Sequence, residues 1–108
     1  MTRLRLAVAA AWRLLRPGPR EPFLEDDVLV GWGSARLVRL PLSEVRHVTT
    51  DWTPYVGAEL VVSGDGRYVR IRLDPATERL RRDVGQRVVR NGPSVVETTD
   101  VRRHLGLA

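Results

Sequence analysis

The sequence predicts an α+β fold: an antiparallel sheet or partial barrel of five to six strands, capped by one C-terminal helix and preceded by an N-terminal amphipathic helix. Three observations carry this expectation. Apolar residues alternate with period two between about residues 27 and 73, the mark of strands with one buried face. A capped, helix-period segment follows from Asp74. An Ala- and Leu-rich stretch over residues 4–16, without Gly or Pro, is stopped by Pro17-Gly18-Pro19. The expected organisation is therefore a helix over 1–16, a Pro-rich linker over 17–22 and one small domain over 23–108. A chain of 108 residues is long enough for one domain and too short for two.

Taken in order, the first helix places Leu4, Val8, Trp12 and Leu15 on one face, with Arg5, Arg13 and Arg16 mostly opposite. The apolar run is too short for a membrane span. It also lacks the small-residue cleavage site of an export signal. It fits a helix that docks on the sheet or on a second subunit, or one that lies on a membrane surface. Glu25-Asp26-Asp27 reads as a solvated loop. The runs Val28–Gly33 and Arg36–Pro41 read as strands joined by Gly33-Ser34-Ala35. Glu44–Trp52 is a third strand, and Trp52–Gly57 the longest connection. Ala58–Ser63 and Tyr68–Leu73 flank Gly64-Asp65-Gly66-Arg67, the clearest hairpin signal in the chain.

In the last of these strands Val69, Ile71 and Leu73 alternate with Tyr68, Arg70 and Arg72, giving one buried and one wet face. Asp74 is the expected N-cap of the next helix and Pro75 its first residue. Ala76, Leu80, Val84 and Val88 form the ridge expected to lie on the sheet. Asn91-Gly92-Pro93 closes the helix. A short strand over Ser94–Glu97 and a last helical turn capped by Asp100 complete the expectation.

At Leu42, Val45 and Val48 the spacing of "LSEVRHV" resembles a strand of bacterial pleckstrin-homology-like (PH-like) domains. The hairpin "AELVVSGDGRYVRIRL" and the helix "DPATERLRRDVGQRV" resemble the last hairpin and helix of that family. The resemblance covers about residues 27–90 and rests on hydrophobic spacing. It implies an interaction scaffold, commonly self-associating, without catalysis. Two departures stand out: a full barrel of that family has seven strands, and here the first hairpin lacks the cluster of basic side chains found in lipid-binding members.

Composition narrows the chemistry. There is no cysteine, so disulfides and thiolate metal sites are excluded. His47 and His104 stand far apart, and no metal or cofactor site is expected. His47, with Ser43 and Asp51, is the only local set of catalytic residue types. Four residues along a strand separate side chains by roughly 13 Å, too far for a proton relay. The chain is expected not to be an enzyme.

All 18 basic residues are arginine and the formal net charge is +5. The absence of lysine beside abundant Ala, Val, Leu and Gly matches the amino-acid usage of a GC-rich bacterial genome, which raises arginine without selection for phosphate contact. The charge falls in blocks: +5 over residues 1–20, −5 over 21–66 and +5 over 67–108. Such blocks can neutralise one another in the fold or between subunits.

Three functional expectations follow. The leading one is a non-catalytic interaction or self-association module, with a homo-oligomer or a protein partner. Its contacts would be made by the face Leu4, Val8, Trp12 and Leu15, or by a loop presenting Trp52 and Tyr55. The alternative is an Arg-rich nucleic-acid binder using Arg67, Tyr68, Arg70 and Arg72 for phosphate contact and stacking. The second alternative is a peripheral membrane protein held by the first helix. The expected location is cytoplasmic, including the inner face of the membrane.

Overall fold

The computed structural model describes residues 21–33 and 36–107. The expected helix over 1–16, with Leu4, Val8, Trp12 and Leu15, and the linker residues 17–20 lie outside the described residues, as do the turn residues Ser34 and Ala35.

Six strands form: β1 (Phe23–Glu25), β2 (Val28–Trp32), β3 (Leu37–Pro41), β4 (His47–Thr53), β5 (Gly57–Gly64) and β6 (Arg67–Arg72). They do not make the single five-to-six-stranded sheet or partial barrel expected from the sequence. They divide into two antiparallel sheets of three, ordered β1-β2-β3 and β4-β5-β6. The division falls at Pro41. This last residue of β3 has no N–H to give, and a 3₁₀ turn over Leu42–Glu44 carries the chain away before it pairs again. The period-two pattern runs through both sheets, so it could not reveal the break.

The turns follow their residue chemistry. Asp65-Gly66 closes the β5–β6 hairpin with φ of 53° and 72°, the two left-handed residues that a tight hairpin turn requires. Asp26 is left-handed too (φ 55°), and Glu25 pairs with Val28 across it. The acidic triplet read as a solvated loop is thus the end of a hairpin, and the short strand β1 goes unsignalled in the sequence. The first sheet packs closely on β6: a side chain at Gly31 would meet Val69 Cγ1 at 2.7 Å.

The core joins Leu29 and Leu40 of the first sheet with Val48, Leu60, Val62, Val69 and Ile71 of the second. Val84, Val88, Val95, Val96, Val101 and Leu105 close it from the C-terminal segment. Asp74 Oδ1 accepts the N–H of Ala76 at 2.9 Å, capping a 3₁₀ turn over Pro75–Thr77 that leads into α1 (Glu78–Val88). That tighter turn shifts the helical phase. Of the expected ridge, Val84 and Val88 are buried in the core and half-buried Leu80 packs against it, while Ala76 is exposed; Thr77, Arg81 and Gly85 complete the buried face.

A second helix, α2 (Thr99–His104), is capped by Thr98, whose Oγ1 accepts the N–H of Val101 at 3.2 Å; the expected cap, Asp100, sits in its first turn. The expected strand over Ser94–Glu97 is instead a 3₁₀ turn over Pro93–Val96, which packs against β4 and buries Val95 and Val96. The C-terminal cap is therefore two helices and 3₁₀ turns, not one helix.

Arg81 joins these pieces. Its guanidinium, in a residue only 9% exposed, donates to Thr77 Oγ1 (3.0 Å) and to the carbonyls of His104 (2.8 Å) and Asp74 (2.9 Å). Thr77 Oγ1 in turn donates to the carbonyls of Arg72 and Asp74. One buried cation thus holds the end of β6, the start of α1 and the C-terminal end of α2, where a helix carries partial negative charge.

Gly85 lies where α1 meets the end of α2. A Cβ there would sit 2.7 Å from the Leu105 carbonyl oxygen and 2.8 Å from Leu105 Cβ. Alanine gains about 1 kcal/mol of helix propensity over glycine, but overpacking costs about 1–3 kcal/mol. Gly85→Ala is expected to lower the urea midpoint despite its better propensity. An exposed control, Gln86→Ala, should leave the midpoint nearly unchanged.

Candidate functional site

The described surface offers two candidate regions, one on each face of the second sheet. On the outer face, Tyr68, Arg70 and Arg72 of β6 lie across from Ser63, Val61 and Glu59 of β5, which pair with His47, Thr49 and Asp51 of β4. These are the residues expected to contact phosphate, and the structure gives each of their arginines a carboxylate. Arg70 Nη1 lies 2.9 Å from Asp51 Oδ2 and 3.3 Å from Glu59 Oε1. Arg67 Nη2 reaches Glu44 Oε2 at 2.6 Å and Asp65 Oδ2 at 3.1 Å, and its Nη1 donates to the Arg39 carbonyl at 2.8 Å. Arg72 lies within 3.6 Å of both Glu21 and Asp74.

Glu59 is only 2% exposed although it stands on the face the alternation marks as wet. A carboxylate so buried requires a cationic partner, which Arg70 provides. Arg70 also lies over the Tyr68 ring, 5.5 Å from its centroid, so that aromatic face is already covered.

The same pairing extends beyond this sheet. Arg39 meets Glu25 at 2.6 Å, and Arg87 meets Asp27 at 2.8 Å. Seven of the eight acids in residues 21–66 therefore contact an arginine, and four of those arginines (67, 70, 72 and 87) belong to the basic C-terminal block. Among the described residues, Arg36, Arg46, Arg79, Arg81, Arg90 and Arg102 have no ion pair, Arg46 and Arg81 donating to main-chain carbonyls instead.

Asp51 links this charged face to the second region. Its Oδ1 accepts the N–H of Trp52 at 2.9 Å while Oδ2 holds Arg70. The Arg70 hydrogen bond first, and the Trp52 N–H second, hold the Asp51 carboxyl below its ordinary value of 3.8.

The second region is the β4–β5 hairpin end. The sequence places Trp52 and Tyr55 in a loop over 52–57. The structure instead extends β4 through Thr53 and leaves only Pro54-Tyr55-Val56 as the turn, with Gly57 at φ 91° and Thr53 Oγ1 accepting the Val56 N–H at 3.3 Å. Tyr55 is 93% exposed and Trp52 67%, with Val56 exposed beside them. Trp52 pairs with Ala58 and stands on the same face as Val48 and Thr50, the face that carries the core. It extends past the core toward α2. Thr50, Asp51, Trp52, Ala58, Leu73, Asp100 and His104 line an open groove there of about 500 Å³.

The edge of β4 that no described strand pairs is flanked by the Pro93–Val96 turn and α2. Ser63 accepts from Arg46 and Ala58 from Leu73, so residues 59, 61 and 63 turn their main-chain groups toward β4. Val48, Thr50 and Trp52 then face that edge, and there the Trp52 N–H is held by Asp51. Such an edge resists strand addition, so contacts at this hairpin fall to its side chains.

His47 is exposed on the outer face, and its neighbour Asp51 is engaged by Arg70 and Trp52. No group of three or more His, Asp or Glu among the described residues is arranged to hold a metal ion. No helix among the described residues is long and apolar enough to cross a membrane. No family model, curated protein or solved structure matches this chain.

Asp51 titration tests the link between the faces. Because its carboxyl is held low, Asp51 contributes stability above the unfolded value near 3.8, and that contribution is lost as pH falls through the lower folded value. The Asp51 side-chain carbon, followed by NMR, should titrate below 3.8, and Arg70→Gln should raise its midpoint. A midpoint at or above 3.8 in the wild type would contradict the assigned pair.

Proposed function

We propose that this domain is a non-catalytic association module whose contact element is the tip of the β4–β5 hairpin, with self-association as its first form. The observation that carries the reading is the placement of Trp52, Tyr55 and Val56, three large apolar side chains exposed together at one end of a regular hairpin. Exposed aromatics in a cluster gain from burial against a partner surface, where tyrosine and tryptophan are enriched. The stem beneath the tip is fixed by seven residue pairs from His47–Ser63 to Thr53–Gly57, so little ordering entropy opposes contact.

The charge pattern supports the same reading over nucleic-acid binding. Arg67, Arg70 and Arg72 carry carboxylate partners, and Tyr68 is covered by Arg70, so phosphate contact or base stacking would first have to break these pairs. The peripheral-membrane reading depends on Leu4, Val8, Trp12 and Leu15, which lie outside the described residues. Kinship with PH-like domains belongs to the proposal as well, with six strands here against seven in the full barrel of that family.

Light scattering over a concentration series tests self-association. The expected outcome is a rise in mass toward a dimer that Tyr55→Ser reduces, with the urea midpoint unchanged because Tyr55 packs on nothing. A strict monomer up to about 1 mM, where even contacts worth about 4 kcal/mol would register, contradicts it.

A further inference from the structure

The groove behind the hairpin tip differs in chemistry from the tip itself. Its lining combines small or apolar residues (Thr50, Ala58, Leu73), the exposed Trp52, and the polar Asp51, Asp100 and His104. Each carboxylate has one oxygen engaged by a cation: Asp51 Oδ2 by Arg70, and Asp100 Oδ1 by Arg103 at 2.5 Å, with His104 Nε2 at 3.6 Å. The other oxygens are not so engaged. Asp51 Oδ1 accepts only a main-chain N–H, and Asp100 Oδ2 accepts no hydrogen bond among the described residues. Both carboxylates are about half exposed.

An exposed tryptophan and carboxylates lining the same groove suit a planar cation. A guanidinium stacks on tryptophan through the ring's negative face and offers a fork of N–H donors to nearby carboxylates. The groove, at about 500 Å³, is large enough for such a side chain and its flanking main chain. An anionic or purely apolar occupant would supply no donor to Asp100 Oδ2, which accepts no hydrogen bond among the described residues.

We propose that this groove receives an arginine-bearing segment of a protein partner, with the guanidinium stacked on Trp52 and directed to Asp100. The assignment rests on the reading of the hairpin as a contact element and names the partner chemistry that one side of it fits. It is independent of whether Tyr55 mediates self-association.

The test is an NMR titration of the full chain at low protein concentration with acetylated, amidated tetra-arginine, using tetra-lysine and tetra-glutamate as controls. Tetra-arginine should give saturable shifts of the Trp52 indole N–H and the amides of residues 100–104. Tetra-lysine should bind at least about threefold more weakly, because an ammonium stacks less well, and tetra-glutamate should give no shift. Trp52→Ala and Asp100→Asn should each weaken tetra-arginine about fivefold or more, whereas Tyr55→Ser should leave it unchanged. The assignment is overturned by three results: no saturable shift at about 5 mM peptide, undiminished binding to Asp100→Asn, or shifts at Trp52 and His104 that grow with protein concentration alone. The last would place a second copy in the groove. If light scattering finds only monomer while the titration saturates, self-association fails and the groove stands; the reverse pair of outcomes removes the groove and keeps the tip.

Discussion

The Asn91 amide is the constraint on which the arrangement of the two sheets depends. The chain passes from the first sheet to the second through residues 42–46, a segment too short and too irregular to satisfy its own carbonyls by strand pairing. Asn91 Nδ2 donates to the carbonyls of Leu42 at 2.7 Å and Val45 at 2.9 Å. It comes from the 3₁₀ turn over Val89–Asn91 that follows α1, so this side chain ties the connection to the end of the helix, while Arg46 Nη1 donates to the carbonyls of Ser43 and Val45 within the connection. Leu42 and Val45 are themselves buried, and their carbonyls need partners because few waters reach them. Arg81 acts in the same way at the other end of α1. Both positions use a polar side chain to satisfy main-chain oxygens where regular structure stops.

This arrangement determines how the surface is used. With α1 seated over the junction, Arg87 is brought to Asp27, and β6 is held so that Arg67 and Arg70 meet Glu44, Asp51 and Glu59. The basic and acidic blocks, separated in sequence, neutralise one another across the fold. Most of these pairs are exposed and each adds little stability. Their larger effect is on recognition, since an arginine already held by a carboxylate is a poorer phosphate ligand. Beside these pairs the described surface exposes the aromatic hairpin end and the groove next to it.

Much of the local structure was legible because it depends on neighbouring residues. Asp65-Gly66 dictates its own turn, Asp74-Pro75 its own cap, and the alternation of Val69 and Ile71 with Tyr68, Arg70 and Arg72 its own two faces. The division into two sheets was not legible, because strand period is identical on either side of Pro41 and the pairing of β4 with β5 instead of β3 is a tertiary choice. The burial of Arg81 was not legible either. No local signal marks it for burial, since its three acceptors come from segments that meet only in the fold. Trp52 and Tyr55 were read as residues of a loop over 52–57, whereas Trp52 lies in β4; the groove was not legible, because Asp100 and His104 lie about fifty residues away in sequence.

The central claim, that the Asn91 amide holds the inter-sheet connection, is tested most directly by urea unfolding of Asn91→Ala. Removing the donor leaves the Val45 carbonyl with only Arg46 Nη1 at 3.3 Å, and the Leu42 carbonyl with only the Val45 N–H at 3.2 Å. A loss of about 2 kcal/mol is predicted, with fluorescence and circular dichroism reporting one coincident transition because both sheets depend on the junction. A change of less than about 0.5 kcal/mol, the size expected of an ordinary surface substitution, would contradict the account.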